Sequence, residues 1–314
     1  MIDALISGNI VVDLIGKPID RLPDRGRLAL LDDFETHVGG NGPNTAMALS
    51  RLGGSVALLG RAGQDIYGRF LMESLNDWGG VDAAAVIREP DTRTGITIVA
   101  SDSTGERSFI HFSGANAAFC RSDNNFERLP PARHYHYGSY FILPGLDGPP
   151  ASEVLADANR RGMTTTLDPC WDLSGRWLEL LRLCLPHVSW LMPSEDEARA
   201  LTGEEQPAAM AEALLAAGAR AVVLKLGEGG CLYADSQRRL SAPAHRVTVV
   251  DTTGAGDCFI AGFLYGQSQG WELPRTLGFA NACGGRSVSA MGAVAGMAPS
   301  KEIEEWQERT PLRR

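Results

Sequence analysis

The sequence predicts an α/β fold with a mainly parallel sheet and one β-rich insertion. Three observations carry that prediction. Apolar runs of strand length alternate with glycine-ended stretches of helix length. The alternation breaks once, at "TGITIVASDSTGERSFIHFSGAN", where two β-rich runs flank turn residues. The composition, 44% apolar and 21% charged over 314 residues, is that of a globular chain with one large domain, alone or with a small appendage.

In chain order, "ALISGNIVVDLIG" reads as a strand running into the edge of a site. "PNTAMALSRLGG" is a helix opened by Pro43 and ended by Gly53 and Gly54. "SVALLGRAG" is a short buried strand, and "DIYGRFLMESLNDWGG" a second glycine-closed helix. In the insertion, Ile96, Ile98 and Ala100 alternate with Thr97, Val99 and Ser101, as in a sheet with two unlike faces. Ile110 and Phe112 fall on one face of the following run, Phe109 and His111 on the other; alternation alone does not say which looks inward. Strand–helix alternation resumes near "HYHYGSY". It continues through a helix from Ala151 to Arg161, the strand "MTTTLD", a helix from Trp177 to Cys184 and the strand "VSWLM". Then come the helices "SEDEARALTG" and "PAAMAEALLAAGA", the strand "RAVVLKLG" and short strands ending at "RVTVVD". Two small-residue helices close the series, the second being "PRTLGFANACGGRSVSAMG".

The net charge of -9, with no run of Lys or Arg, argues against nucleic-acid and anionic-membrane partners, whose phosphates need basic surface. The six cysteines form no CxxC pair and no zinc-ligand spacing with histidine. The first residues lack the basic start of an export signal, and no apolar run has membrane-span length, so a cytoplasmic protein is expected.

Two stretches carry chemistry. In "GGNGPNTA", Gly39 and Gly40 allow close backbone approach, and Asn41 and Asn44 supply amides that read hydroxyl groups; a plain loop before a helix is the competing reading. In "DTTGAGDCFIAGFLYG", Gly254, Ala255 and Gly256 leave backbone N–H groups bare at a helix N-terminus, a place to hold an anion. Asp257 would repel that anion unless it faces a hydroxyl about to attack it; a simple helix cap is the alternative. The chain lacks GxxxxGK[ST], and no GxGxxG follows its first strand, which sets aside P-loop and dinucleotide-binding readings.

Together, "GGNGPNTAMALSRLGGSVALLGRAG" and "DTTGAGDCFIAGFL" resemble the two signatures of the ribokinase-like (PfkB) carbohydrate kinase family, in the right order and more than 200 residues apart. "HFSGANAAF" is similar to the end of that family's lid strand. The resemblance covers essentially the whole chain. It implies a three-layer α/β/α core, residues 1–12, 37–91 and 115–314, with a small β lid from 13–36 and 92–114. It implies transfer of the ATP γ-phosphoryl group to a sugar hydroxyl, with Asp257 as general base and the N–H groups of Gly254, Ala255 and Gly256 as anion hole. Asp13, Gly39, Gly40 and Asn44 would bind the sugar, and Lys225, Gly227, Gly230 and Asn281 the nucleotide.

"LMPSEDEA" resembles the family's Asn-x-x-Glu motif with Ser194 in place of Asn, which leaves Glu197, acting through water, as the magnesium residue. Ser194 and Glu197 also have capping-box spacing. The resemblance further implies a potassium-type site made by Asp251, Thr253 and backbone near Ser287, Ala290 and Gly292. The exposed face of a lid sheet often pairs with another lid, so a homodimer through the lid is an expectation as well. "DPCWD", Asp168 to Asp172, stands near the phosphates or merely caps a helix. "GSYFILPG" has no acid to match the carboxylate expected in a ribokinase, so ribose is disfavoured. A phosphorylated substrate would need an arginine or lysine in the site, and none is placed there by the sequence, so an unphosphorylated one is expected. A nucleoside kinase, a non-catalytic ligand-binding regulator and an α/β dehydrogenase are the competing functions.

Overall fold

The computed structural model describes residues 1–103 and 107–313. The turn residues Thr104, Gly105 and Glu106 of the expected hairpin lie outside the described residues. The strands are β1 Ile2–Ser7, β2 Val11–Lys17, β3 Asp33–Gly39, β4 Val56–Gly63, β5 Val81–Asp82, β6 Val86–Glu89 and β7 Gly95–Ser101. They continue with β8 Arg107–Phe112, β9 Ala132–Tyr140, β10 Thr164–Pro169, β11 Trp190–Leu191, β12 Ala221–Lys225, β13 Cys231–Asp235 and β14 Arg239–Ala242. The helices are α1 Asn41–Arg51, α2 Ile66–Trp78, α3 Pro149–Arg160, α4 Trp177–Leu181 and α5 Glu195–Thr202, then α6 Pro207–Ala216, α7 Ala255–Ser268, α8 Leu273–Ser287 and α9 Ser300–Arg309.

The large sheet has the order β14-β13-β12-β11-β10-β9-β1-β4-β5, with β6 also on β4. From β12 to β5 every pairing is parallel, and β13 and β14 add an antiparallel edge. Pleat alternation builds the layers. Leu5, Leu59, Tyr135 and Tyr137 pack with α3, α5 and α6 on one face. Ala4, Ile6 and Leu58 pack with α1, α2, α7 and α8 on the other. The result is a three-layer α/β/α sandwich with a mainly parallel sheet.

A second, four-stranded sheet, β3-β2-β7-β8, stands apart. Its register places Asp13 beside His37 and Thr97, and Thr97 beside His111, so these four share one face. That face looks toward the core: a Cβ on Gly292 would lie 3.9 Å from the His37 ring. On the opposite face Val12, Leu14 and Val38 pack on the core at the root of the sheet, while Phe34, Ile98, Ile110 and Phe112 are exposed.

Four local expectations need correction. "ALISGNIVVDLIG" is two strands, because the chain leaves the large sheet at Gly8–Ile10 and enters the small one. Gly8 permits the break: a Cβ there would sit 2.7 Å from Gly42 N at the start of α1. "RVTVVD" alternates like a strand but pairs with no strand among the described residues. It runs along the rim of a cleft, with Val249 and Val250 half-exposed. The last small-residue helix ends at Ser287, where Val288 O turns back to accept from Val250 N and Asp251 N. The helix expected from Trp177 to Cys184 stops at Leu181.

Candidate active site

Asp257 sits in the first turn of α7 and is buried. Its Oδ1 accepts from Asn41 Nδ2 at 3.0 Å and its Oδ2 from Asn44 Nδ2 at 2.9 Å, both amides coming from α1. Burial pushes its carboxyl up, the Asn44 hydrogen bond, the Lys225 charge and the Asn41 hydrogen bond pull it down, and the balance lies at about 6. Two fixed amides aim the carboxylate, and each oxygen keeps a lone pair for a further donor.

A supporting network lies behind α1. Asn9 Oδ1, at the break between β1 and β2, accepts from Asn41 N at 2.9 Å. Ser139 Oγ lies 2.6 Å from Asn9 Oδ1 and 2.9 Å from Asn41 Oδ1. Cys170 Sγ donates to Asn41 Oδ1 at 3.4 Å. With its oxygen engaged, Asn41 must turn its NH₂ toward Asp257. Ser139 holds φ +71°, a left-handed conformation a serine adopts only where its surroundings enforce it. Asn9 and Ser139, which hold Asn41, are residues that motif reading missed. The one available signal was "SGN", an amide where the first strand breaks.

The turn at residues 254–256 is built by close approach. Gly254 has φ +70°, and a Cβ there would lie 2.5 Å from Ala293 O. Asp251, buried, ties the turn to the loop after α8: Oδ1 accepts from Thr253 N and Oδ2 from Gly292 N, both at 2.8 Å. Ser287 O accepts from Ala290 N at 3.3 Å, and Ser287 itself is buried.

Lys225, Gly227, Gly230, Gly256, Asn281 and Val288 line one cleft of about 450 Å³. Gly230 has φ +84°, and a Cβ there would collide with Ala242 O. Asn281 Nδ2 donates to Ala242 O at 2.8 Å, so its amide also fastens the cleft wall. Lys225 Nζ lies 2.5 Å from Asp168 Oδ1. Burial alone would lower the Lys225 pKa, but Asp168, Glu197 and Asp257 outweigh it and the group stays charged. Asp168 therefore stands at the site, whereas Asp172 caps the turn before α4, accepting from Ser174 N and Trp177 N.

Ser194 and Glu197 form a full capping box: Glu197 Oε2 accepts from Ser194 N at 2.7 Å, and Ser194 Oγ from Glu197 N at 3.4 Å. Among the described residues no group of three or more His, Cys, Asp or Glu could hold a metal ion. On the other side of Asn41, the Asp13 carboxylate lies against Gly39, where any side chain would collide with it, and a Cβ on Gly40 would strike Asn9 O.

The pfkB family carbohydrate kinase profile matches residues 1–301. The chain belongs to this family. A pfkB family member is a phosphotransferase with an alcohol group as acceptor. This pfkB-family chain is 32% identical over 275 residues to the aminoimidazole riboside kinase of Salmonella typhimurium, spanning 82% of this chain and 84% of the relative. It is 27% identical to a probable fructokinase-5 of Arabidopsis thaliana, over 88% and 90% of the two chains. The structure of Arabidopsis thaliana ribokinase complexed with ribose and ATP superposes with a TM-score of 0.84 at 26% identity, over 97% of this chain and 98% of that one.

Proposed function

We propose that this pfkB-family kinase transfers the γ-phosphoryl group of ATP to a hydroxyl of a small, unphosphorylated sugar. The observation that carries the reading is the pair of asparagine amides holding both oxygens of Asp257 at the bare turn of α7. Asp257 takes the hydroxyl proton, and the N–H groups of Gly254, Ala255 and Gly256, with the helix dipole, receive the charge of the transferring group. Asp13, Gly39, Gly40 and Asn44 bind the sugar between the small sheet and α1. Gly227, Gly230 and Asn281 line the nucleotide cleft. Magnesium fits the one acid of the Ser194–Glu197 cap, whose Oε2 is held by Ser194 N; held there through water, it would neutralise phosphate charge. Asp251, Thr253 and the backbone at Ser287, Ala290 and Gly292 form the candidate potassium loop.

A riboside acceptor is the second reading, favoured by the relation to aminoimidazole riboside kinase. Asp147, beside "GSYFILPG", is committed to Tyr137 OH and to Phe141 N and Leu143 N, which leaves no free carboxylate there for ribose. A coupled ADP-release assay with magnesium and potassium, over pentoses, hexoses, 2-keto-3-deoxy acids and ribosides, tests the function. Turnover on one class fixes the acceptor; silence across all of them, with ATP still bound, rejects these small sugars and ribosides as acceptors.

The small sheet acts as a lid, and its exposed Phe34, Ile98, Ile110 and Phe112 support pairing with the lid of a second copy. Sedimentation velocity should find a dimer that Ile110→Lys with Phe112→Lys makes monomeric; a monomeric wild type would reject the pairing. No helix among the described residues is long and apolar enough to cross a membrane. All six cysteines are free thiols, which supports a reducing compartment such as the cytoplasm.

A further inference from the structure

Lys225 ends β12 with its side chain 13% exposed, and Asp168, 3% exposed, faces it from the end of β10. A buried ion pair is a weak source of stability, because desolvation consumes most of its attraction. Its position points elsewhere. A Cβ on Gly256 would lie 3.4 Å from Lys225 Nζ, so the ammonium rests against the first turn of α7, one residue from Asp257. Lys225 and Gly256 both line the cleft, and the neighbouring base marks where transfer occurs. The phosphoryl group nearest Lys225 is then the terminal one. At rest three carboxylates, Asp168, Glu197 and Asp257, act on a single ammonium. An ammonium already held by Asp168 can serve a phosphoryl group only by changing partners.

We propose that Lys225 is the ligand of the transferring γ-phosphoryl group and that Asp168 is its resting counter-ion, which the phosphoryl oxygens displace. The inference rests on the kinase reading above. In the transfer, the bond from the γ-phosphorus to the bridging oxygen breaks and ADP keeps the electron pair. A bond to the sugar oxygen forms, and the sugar proton passes to Asp257. Lys225 follows the moving charge without giving up a proton, and Asp168, a positioning residue, receives the ammonium again when the product leaves.

The test is calorimetric titration, with magnesium, of ADP and of a non-hydrolysable triphosphate analogue. Asp168→Asn with Lys225→Met removes both charges together and avoids an unpaired buried carboxylate. In that variant the triphosphate-to-diphosphate affinity ratio should fall ~10–100-fold, the value of a charge-assisted hydrogen bond, with ADP affinity almost unchanged. Asp168→Asn alone should raise the ratio, because no counter-ion competes; a purely structural pair would weaken both nucleotides alike. Equal weakening of both nucleotides, or no change in either, would overturn the inference while leaving the kinase reading in place. Failure of the wild-type protein to bind either nucleotide would overturn both.

Discussion

Asp257→Asn is expected to lower kcat by ~10²–10⁴, the usual cost of losing a positioned base. The fold should survive, because the replacement amide has a partner waiting. Asn44 Oδ1 is buried and makes no hydrogen bond, so a flip of the Asn44 amide lets it accept from the new NH₂. The wild-type carboxyl lies at about 6, against an ordinary 3.8. Because the folded pKa is raised, the contribution of Asp257 to stability is fully present below pH ~4 and is lost as pH rises through ~6. The shift corresponds to ~3 kcal/mol against the fold at neutral pH. Asp257→Asn should therefore be more stable than wild type at pH 8, by up to that amount, and equal to it near pH 4. Guanidinium denaturation at both values checks this. In wild type, kcat/KM should climb through pH ~6 and level off above it. A variant with wild-type turnover would remove Asp257 from the role of base.

Gly254→Ala should damage stability and turnover together. Alanine at φ +70° costs about 1–2 kcal/mol in backbone strain, and its Cβ would meet a backbone carbonyl, Ala293 O, that cannot step aside. The turn must open to relieve the contact, which spoils the aim of the N–H groups. Loss of one such donor is worth ~10²–10³ in rate. Gly270→Ala is the control. It has φ +68° with open space around it, so it should carry the strain and leave kcat unchanged. Equal kcat in Gly254→Ala and wild type would exclude the turn from catalysis.

Features that were legible in the sequence are those whose cause is local. Gly254 to Asp257 and Gly39 to Asn44 show their chemistry in a few adjacent residues, because a bare turn needs small residues in sequence. Asn9 and Ser139 were not legible. Their role arises where residues 130 apart meet, and neither belongs to a periodic pattern. Asp168 was visible only as an ambiguous acid, since its partner Lys225 arrives from another strand. The inner face of the small sheet stayed open because both faces of "RSFIHF" carry apolar residues; the Thr97–His111 register settles it. α9 escaped notice because its charge masks a short apolar stripe, Ile303 and Trp306, at helical spacing. "RVTVVD" misled in the opposite sense, since alternation states a preference and only a neighbouring strand makes a sheet.

The large sheet ends in two guarded borders. On one side the border is shared by β5, two residues long, and β6, four residues long, both paired with β4. On the other, β14 begins at Arg239, whose guanidinium is paired with Glu212, beside an Arg238–Asp235 pair. Short borders and bulky charged groups both discourage a stray strand from extending the ladder. A ten-stranded sheet, otherwise a template for strand addition, is thereby guarded at both borders against growing into the next molecule.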